Sequence, residues 1–217
     1  MQLMAFALAL SLHESAHGWM AERLGDPTAR WLGRITLNPI KHIDLFGTII
    51  FPLLLAVIGA PVLGWAKPVP FVSRNLRNQR WGPAMVGLAG PLSNICLGLL
   101  TTGILLLVKA VMPGFRPLLV TLLRQGALGA SGIAAPLVFL LFSLAMINLV
   151  LAVFNLLPIP PLDGSHILEA FLPPRFHLAY AQVRQYGMLL LLALFWTGAF
   201  GRILNPFVNG LIMILLW

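Results

Sequence analysis

Apolar stretches of about 20 residues recur along this 217-residue chain, each long enough to cross the roughly 30 Å of bilayer hydrocarbon as a helix. Within lipid every backbone N–H and C=O must find its partner inside the segment, so such stretches fold as helices. Only 9% of the residues are charged against about 25% in an ordinary soluble domain, and the mean hydropathy is +0.92. The expected fold is an all-α membrane protein in one domain over residues 1–217: a polytopic bundle of about five transmembrane helices, a re-entrant hairpin and a short β-hairpin.

The first helix is expected from Met1 to about Leu24, ending where Glu22, Arg23, Gly25, Asp26 and Pro27 bring charge and helix breakers together. Residues 1–12 imitate a signal peptide but lack a basic start, and they read as the first half of this membrane helix. Further apolar helices are expected at about residues 83–112, 132–157, 183–200 and 203–217. Residues 33–39 alternate as a short strand would, and residues 64–71, with Pro68 and Pro70, suit an edge strand. The apolar segment 45–63 is interrupted by Gly47, Pro52, Gly59 and Pro61.

The net charge of +8 does not point to nucleic acid, because the 14 basic residues are scattered through the connections without a basic run. A positive-inside bias accounts for them, with the lipid bilayer as the partner. The single cysteine, Cys96, excludes an internal disulfide framework.

Two of the six acidic residues stand where ionised groups are least welcome: Glu14 in the first helix and Asp163 just past the helix ending near Leu157. A carboxylate at the centre of a bilayer helix costs about 2.5 to 3.5 kcal/mol even on lenient scales, which makes such residues candidates for function. His13 and His17 are one helical turn apart and share a face, so both imidazoles can reach one metal ion. Glu14 is rotated by about 100° from His13, a position suited to a general base acting on water rather than to a ligand. A catalytic zinc takes three protein ligands and leaves a fourth position open. Asp163 is the expected third ligand, since Pro158, Pro160, Pro161 and Gly164 around it break the helix and open a cavity. Asp163 could instead pair with an arginine or cap a helix over residues 165–169. His42, His166 and His177 fall in connections, where solvated or outer-sphere roles are expected rather than metal ligation.

With these residues in place, the chain resembles the site-2 protease family of intramembrane zinc metalloproteases, particularly compact prokaryotic members without a PDZ domain. The matching elements are HESAH at 13–17, GRITLNPIKHIDLFGT at 33–48, GWAKPVPF at 64–71, GPLSN at 90–94 and NLLPIPPLDG at 155–164. The resemblance implies one Zn²⁺ per chain on His13, His17 and Asp163, Glu14 as the base, and cleavage in or near transmembrane segments of membrane-protein substrates. It also implies that Asn155 helps hold the substrate carbonyl and that Asn94 hydrogen-bonds between helices. The fuller family architecture places a helix before the zinc-binding one, which residues 1–217 do not include. Rival readings are a metal transporter and a non-catalytic zinc-binding membrane protein.

For one ion to touch all three ligands, the ends of the first helix and of the helix at 132–157 must lie on the same side of the membrane. A full crossing by residues 45–63 would separate them, so that segment is expected to enter and return. The basic residues flanking it then share the cytoplasmic side of an integral, multi-pass inner-membrane protein, with the active site near that side. The extended stretches at 33–39 and 64–71 would offer an unwound substrate an edge to join.

Overall fold

The computed structural model describes residues 1–57, 59, 64–126 and 132–217, where the regular structure is helical and no strand occurs. In chain order the α-helices are α1 (Gln2–Arg23), α2 (Thr28–Trp31), α3 (Phe51–Val57), α4 (Gly82–Val111), α5 (Phe115–Gln125), α6 (Ala134–Asn155), α7 (Gly164–Phe171), α8 (His177–Arg184), α9 (Gly187–Trp196) and α10 (Ala199–Leu216). A π-helical turn at Leu45–Ile50 leads into α3.

The centre is a three-helix unit. Asn94 bonds to Asn148, and Gly98, one turn later, faces the Ala145 carbonyl, so α4 is antiparallel to α6. Val86 meets His17 and Asn94 meets Ala9, so α4 is antiparallel to α1 as well. Helices α1 and α6 therefore point their C-terminal ends the same way, as a shared metal ion requires. An apolar core of Leu105, Phe115, Leu119, Val138, Phe142 and Leu215 closes the opposite end through α5 and α10. Outward faces are apolar too: Leu3 is 84% exposed, Leu107 69% and Met213 60%. Apolar outside with Ser11, His13, Glu14, His17 and Asn94 buried inside is the distribution a lipid solvent selects.

The structure does not confirm the expected span count or the expected β-hairpin. Among the described residues three helices, α4, α6 and α10, are long and apolar enough to cross a membrane, or four if the pair 174–184 and 187–196, bent by 66°, is one broken span. The expected count of about five is not confirmed. Helix α1 has the length, 22 residues, but its own histidines, serines and Glu14 dilute its apolar run. The expected span at 183–200 is interrupted between α8 and α9, where Gly187 packs so closely on the Pro160 carbonyl that a Cβ has no room.

The β-hairpin is absent among the described residues. Residues 64–71 are extended, but their donors go elsewhere: Trp65 N–H to the Gly47 carbonyl, Lys67 N–H to that of His42, and Val69 N–H to Glu14. On the other edge Pro68 and Pro70 have no N–H, so no ladder forms there.

The return limb and turn of the expected re-entrant hairpin, at 58 and 60–63, lie outside the described residues. Its two ends are tied together: Trp65 N–H donates to the Gly47 carbonyl at 3.0 Å, and Thr48 Oγ1 donates to the Trp65 carbonyl at 2.9 Å. Phe46, Phe51 and Trp65 cluster at this mouth with ring centres 5.2 to 6.1 Å apart. Further out, Arg77 N–H donates to the Leu24 carbonyl at 2.9 Å, so the chain leaving α1 and the chain entering α4 are joined.

Asp26 organises this connection. It is 0% exposed, and its carboxylate accepts from Thr28 Oγ1 at 2.5 Å, Val72 N–H at 2.6 Å and Asn75 Nδ2 at 2.9 Å. Burial works against its ionisation, but the hydrogen bonds from Thr28, Val72 and Asn75 outweigh it and hold the carboxyl below the ordinary aspartate value. A folded value below the unfolded one, about 3.9, means that this stabilisation is complete above about pH 4 and is lost as pH falls through the folded value. Asp26→Ala should therefore destabilise the protein by about 3 kcal/mol at pH 7. In thermal unfolding in detergent the gap to wild type should narrow below about pH 4; a gap that stays constant down to pH 3 would refute the assignment.

Candidate metal centre

His13 and His17 project from the same face of α1 against α4, with rings in an edge-to-face arrangement 4.6 Å apart. Asp163 occupies the N-cap position of α7, yet its side chain makes no capping hydrogen bond. The carboxylate instead faces the histidines: Oδ2 lies 3.1 Å from His13 Nε2, and Oδ1 lies 3.4 Å from His17 Nε2. Both alternatives for Asp163, helix cap and arginine partner, give way to this geometry.

The proton positions follow from the partners. His13 Nδ1 lies 2.6 Å from Asn94 Oδ1, and His17 Nδ1 lies 2.7 Å from the Val86 carbonyl oxygen. The Asn94 amide is oriented by its Nδ2, which donates to the Ala9 carbonyl, so the atom facing His13 is the acceptor. Each imidazole then carries its proton on Nδ1 and presents a bare Nε2 lone pair. The two Nε2 atoms stand 3.0 Å apart. Asp163 Oδ2 is buried without a hydrogen bond. His13, His17 and Asp163 thus form a group that could hold a metal ion.

The spacing fits zinc. Donors bound at about 2.0 to 2.1 Å around a tetrahedral ion stand roughly 3.3 Å from one another. Here the two Nε2 atoms are 3.0 Å apart, His13 Nε2 is 3.1 Å from Asp163 Oδ2 and His17 Nε2 is 3.4 Å from the other oxygen, Oδ1, and one donor atom from each residue lies within 4.8 Å of the other two. Two nitrogens and a carboxylate suit zinc rather than calcium or magnesium, which favour oxygen shells.

Glu14 is buried but stands outside the ligand trio, as a base rather than a ligand should. Its Oε2 accepts the Val69 N–H at 3.0 Å. The segment bearing Val69 is held by Arg34, whose buried guanidinium donates to the carbonyls of Lys41, Lys67 (2.6 Å) and Pro68 (3.1 Å). Ser15 Oγ donates to the Thr36 carbonyl at 2.6 Å and joins the same layer to α1.

Asn155 ends α6, and its amide turns back onto that helix, donating to the Leu151 carbonyl at 3.0 Å. The structure therefore places Asn155 near the loop leading to Asp163 without bringing it into the ligand trio. Asn94 bridges α1 and α4, as the resemblance implies. His42 departs from its expected solvation: it is 1% exposed, because its Nε2 donates to the Thr36 carbonyl inside the clamped layer. His166 packs edge-on against Phe71, and His177 Nε2 donates to the Leu172 carbonyl; neither joins the trio.

Two contributors escape a reading of the sequence for titratable groups. Val69 acts through its backbone, for which no side-chain signal exists. Gly90 lies where a Cβ would overlap His17 Nε2 and His13 Cε1, so its lack of a side chain makes the space for both rings. Its sequence signals are a glycine before proline inside a helix, Gly90–Pro91, and its place at the start of the GPLSN element at 90–94.

The sequence pattern of Peptidase family M50 matches residues 1–197. The chain is 37% identical over 204 residues to the Bacillus subtilis (strain 168) protein named "Putative zinc metalloprotease YwhC", across 94% of this chain and 83% of that one. It is 31% identical over 195 residues to "Putative zinc metalloprotease Rip2" of Mycolicibacterium smegmatis, across 90% and 66% respectively. With Rip2 of Mycobacterium tuberculosis (strain H37Rv) it shares 30% identity over 210 residues, across 97% and 69%. No solved structure matches the chain significantly.

Proposed function

This chain belongs to peptidase family M50, the site-2 proteases, and is an intramembrane zinc metalloprotease; from that premise we propose the substrate class, the residue roles and the sidedness. The transporter and non-catalytic readings lose their footing with the family assignment. The substrate is a membrane protein cut in or near a transmembrane segment, and His13, His17 and Asp163 hold one zinc ion. The observation that carries this most is the convergence of two imidazole Nε2 atoms and the Asp163 carboxylate inside an apolar bundle.

When bound, the ion supplies Lewis acidity, polarising a scissile carbonyl and making water nucleophilic near neutral pH. Glu14 takes the proton of the attacking water and returns it to the leaving amine. The Val69 N–H holds one carboxylate oxygen and so fixes the direction in which the other faces. Asn155 would serve the developing oxyanion with the Nδ2 hydrogen not used in its bond to the Leu151 carbonyl.

The active site lies near the cytoplasmic side, where the positive-inside rule puts Arg23, Arg30, Arg34 and Lys41 before the segment 45–63 and Lys67, Arg74, Arg77 and Arg80 after it. The Leu24–Arg77 hydrogen bond supports a segment that enters and returns. Cysteines introduced at Arg30 and Arg77 should label from the same face in sealed vesicles, and labelling from opposite faces would remove the re-entrant reading. The decisive test of function is zinc content together with cleavage of single-span membrane peptides by purified protein; zinc-loaded, folded enzyme that cuts none of a broad panel would refute the substrate class.

A further inference from the structure

A second buried amide stands behind Asn94. Asn148, at mid-length in α6 and 0% exposed, accepts the Asn94 Nδ2 donor on its Oδ1 at 2.7 Å. Its own Nδ2 donates to the Leu144 carbonyl one turn earlier at 2.8 Å. No titratable chemistry marks this residue in the sequence, and an asparagine in an apolar helix is most simply an inter-helix tie. The geometry says more, because each member of the chain has only one orientation.

The Leu144 carbonyl can only accept, so Asn148 must turn Nδ2 toward it and Oδ1 toward α4. Asn94, given acceptors at Asn148 Oδ1 and the Ala9 carbonyl, must turn Nδ2 to them and Oδ1 to His13. His13 must then carry its proton on Nδ1, which leaves Nε2 bare and aimed at Asp163. The Ala9 bond alone, at 3.3 Å, is a weak anchor for this orientation. With Asn148 removed, Asn94 is free to flip and present a donor to His13. That flip favours the opposite tautomer, whose protonated Nε2 binds no metal.

We propose that Asn148 is a positioning residue of the zinc site, setting the tautomer of His13 through Asn94 from two hydrogen bonds away. The chain α6 to α4 to α1 makes metal affinity depend on the docking of three helices, so zinc binding and bundle assembly stabilise each other. The proposal rests on the zinc reading above, and its test separates the two.

Zinc affinity is measured by chelator competition on purified, detergent-solubilised full-length wild type, Asn148→Leu, Asn94→Leu, the double variant and Asn148→Asp, with cobalt(II) d–d spectra on the same samples. Asn94→Leu and Asn148→Leu should each weaken zinc binding by about 10- to 100-fold. The double variant should bind no worse than Asn94→Leu, because Asn148 acts only through Asn94. Asn148→Asp, which still offers Asn94 an acceptor oxygen whether ionised or not, should bind close to wild type and keep its cobalt spectrum. A purely structural tie would give additive losses in the double variant, or an unaltered affinity in Asn148→Leu, and either result overturns the proposal alone. If Asn148→Leu fails to fold, an Asn148→Asp variant that folds but loses zinc affinity overturns it too. A folded wild type that binds no zinc overturns the zinc reading and the proposal together.

Discussion

Glu14→Gln should keep one zinc ion per chain and lose turnover by about 10²- to 10⁴-fold, the usual contribution of a positioned general base. Glutamine matches glutamate in shape, and its carbonyl oxygen can still accept the Val69 N–H, so the layer over α1 stays in place. The ligand trio does not include position 14, so metal content is not at stake. What disappears is the lone pair that takes the proton from water. Zinc quantification and initial cleavage rates on the same preparation check this. Full activity in the variant would dismiss Glu14 as the base, and loss of zinc would place Glu14 among the ligands.

Gly90→Ala should do the reverse, removing the metal while leaving the chain helical. Alanine is the better helix former by about 1 kcal/mol, so α4 itself gains from the change. The added methyl, however, falls on His17 Nε2 and His13 Cε1, both buried and both tethered through Nδ1. Those rings have no slack, and a displacement of about 1 Å in a catalytic group is enough to cost roughly 10²-fold in rate. Zinc occupancy should fall at least about tenfold, in line with the loss seen when ligand orientation is disturbed, and cleavage should fall with it. Gly103→Ala on the same helix is the control, since a Cβ there meets nothing within 4 Å. Equal zinc content in the two variants would remove Gly90 from the site.

How far the sequence could be read depended on whether a residue's role is local. His13, Glu14 and His17 were legible because helical periodicity alone decides that two of them share a face and the third is offset. Asp163 was legible as an acid in a proline-broken loop, although its competing role as helix cap was excluded only once its carboxylate was seen facing the histidines. The edge-strand reading of 64–71 misled because Pro68 and Pro70 exclude helix but do not say where the remaining backbone donors go. Those donors go to Gly47, His42 and Glu14, partners remote in sequence.

By itself the sequence determined that the chain is membrane-embedded, that its spans are helical, and which four residues are the candidates for the chemistry. Scarcity of charge and helical spacing are properties of the chain that no packing can alter. Only the tertiary structure decided which atoms the histidine Nδ1 nitrogens face, the anchoring of Glu14 by a backbone amide, the closeness of position 90 to both rings, and the hydrogen-bonded path from Asn148 through Asn94 to His13. Each of these depends on atoms within about 3 Å across different helices, a distance that hydrogen bonding and close packing enforce and that linear order does not encode.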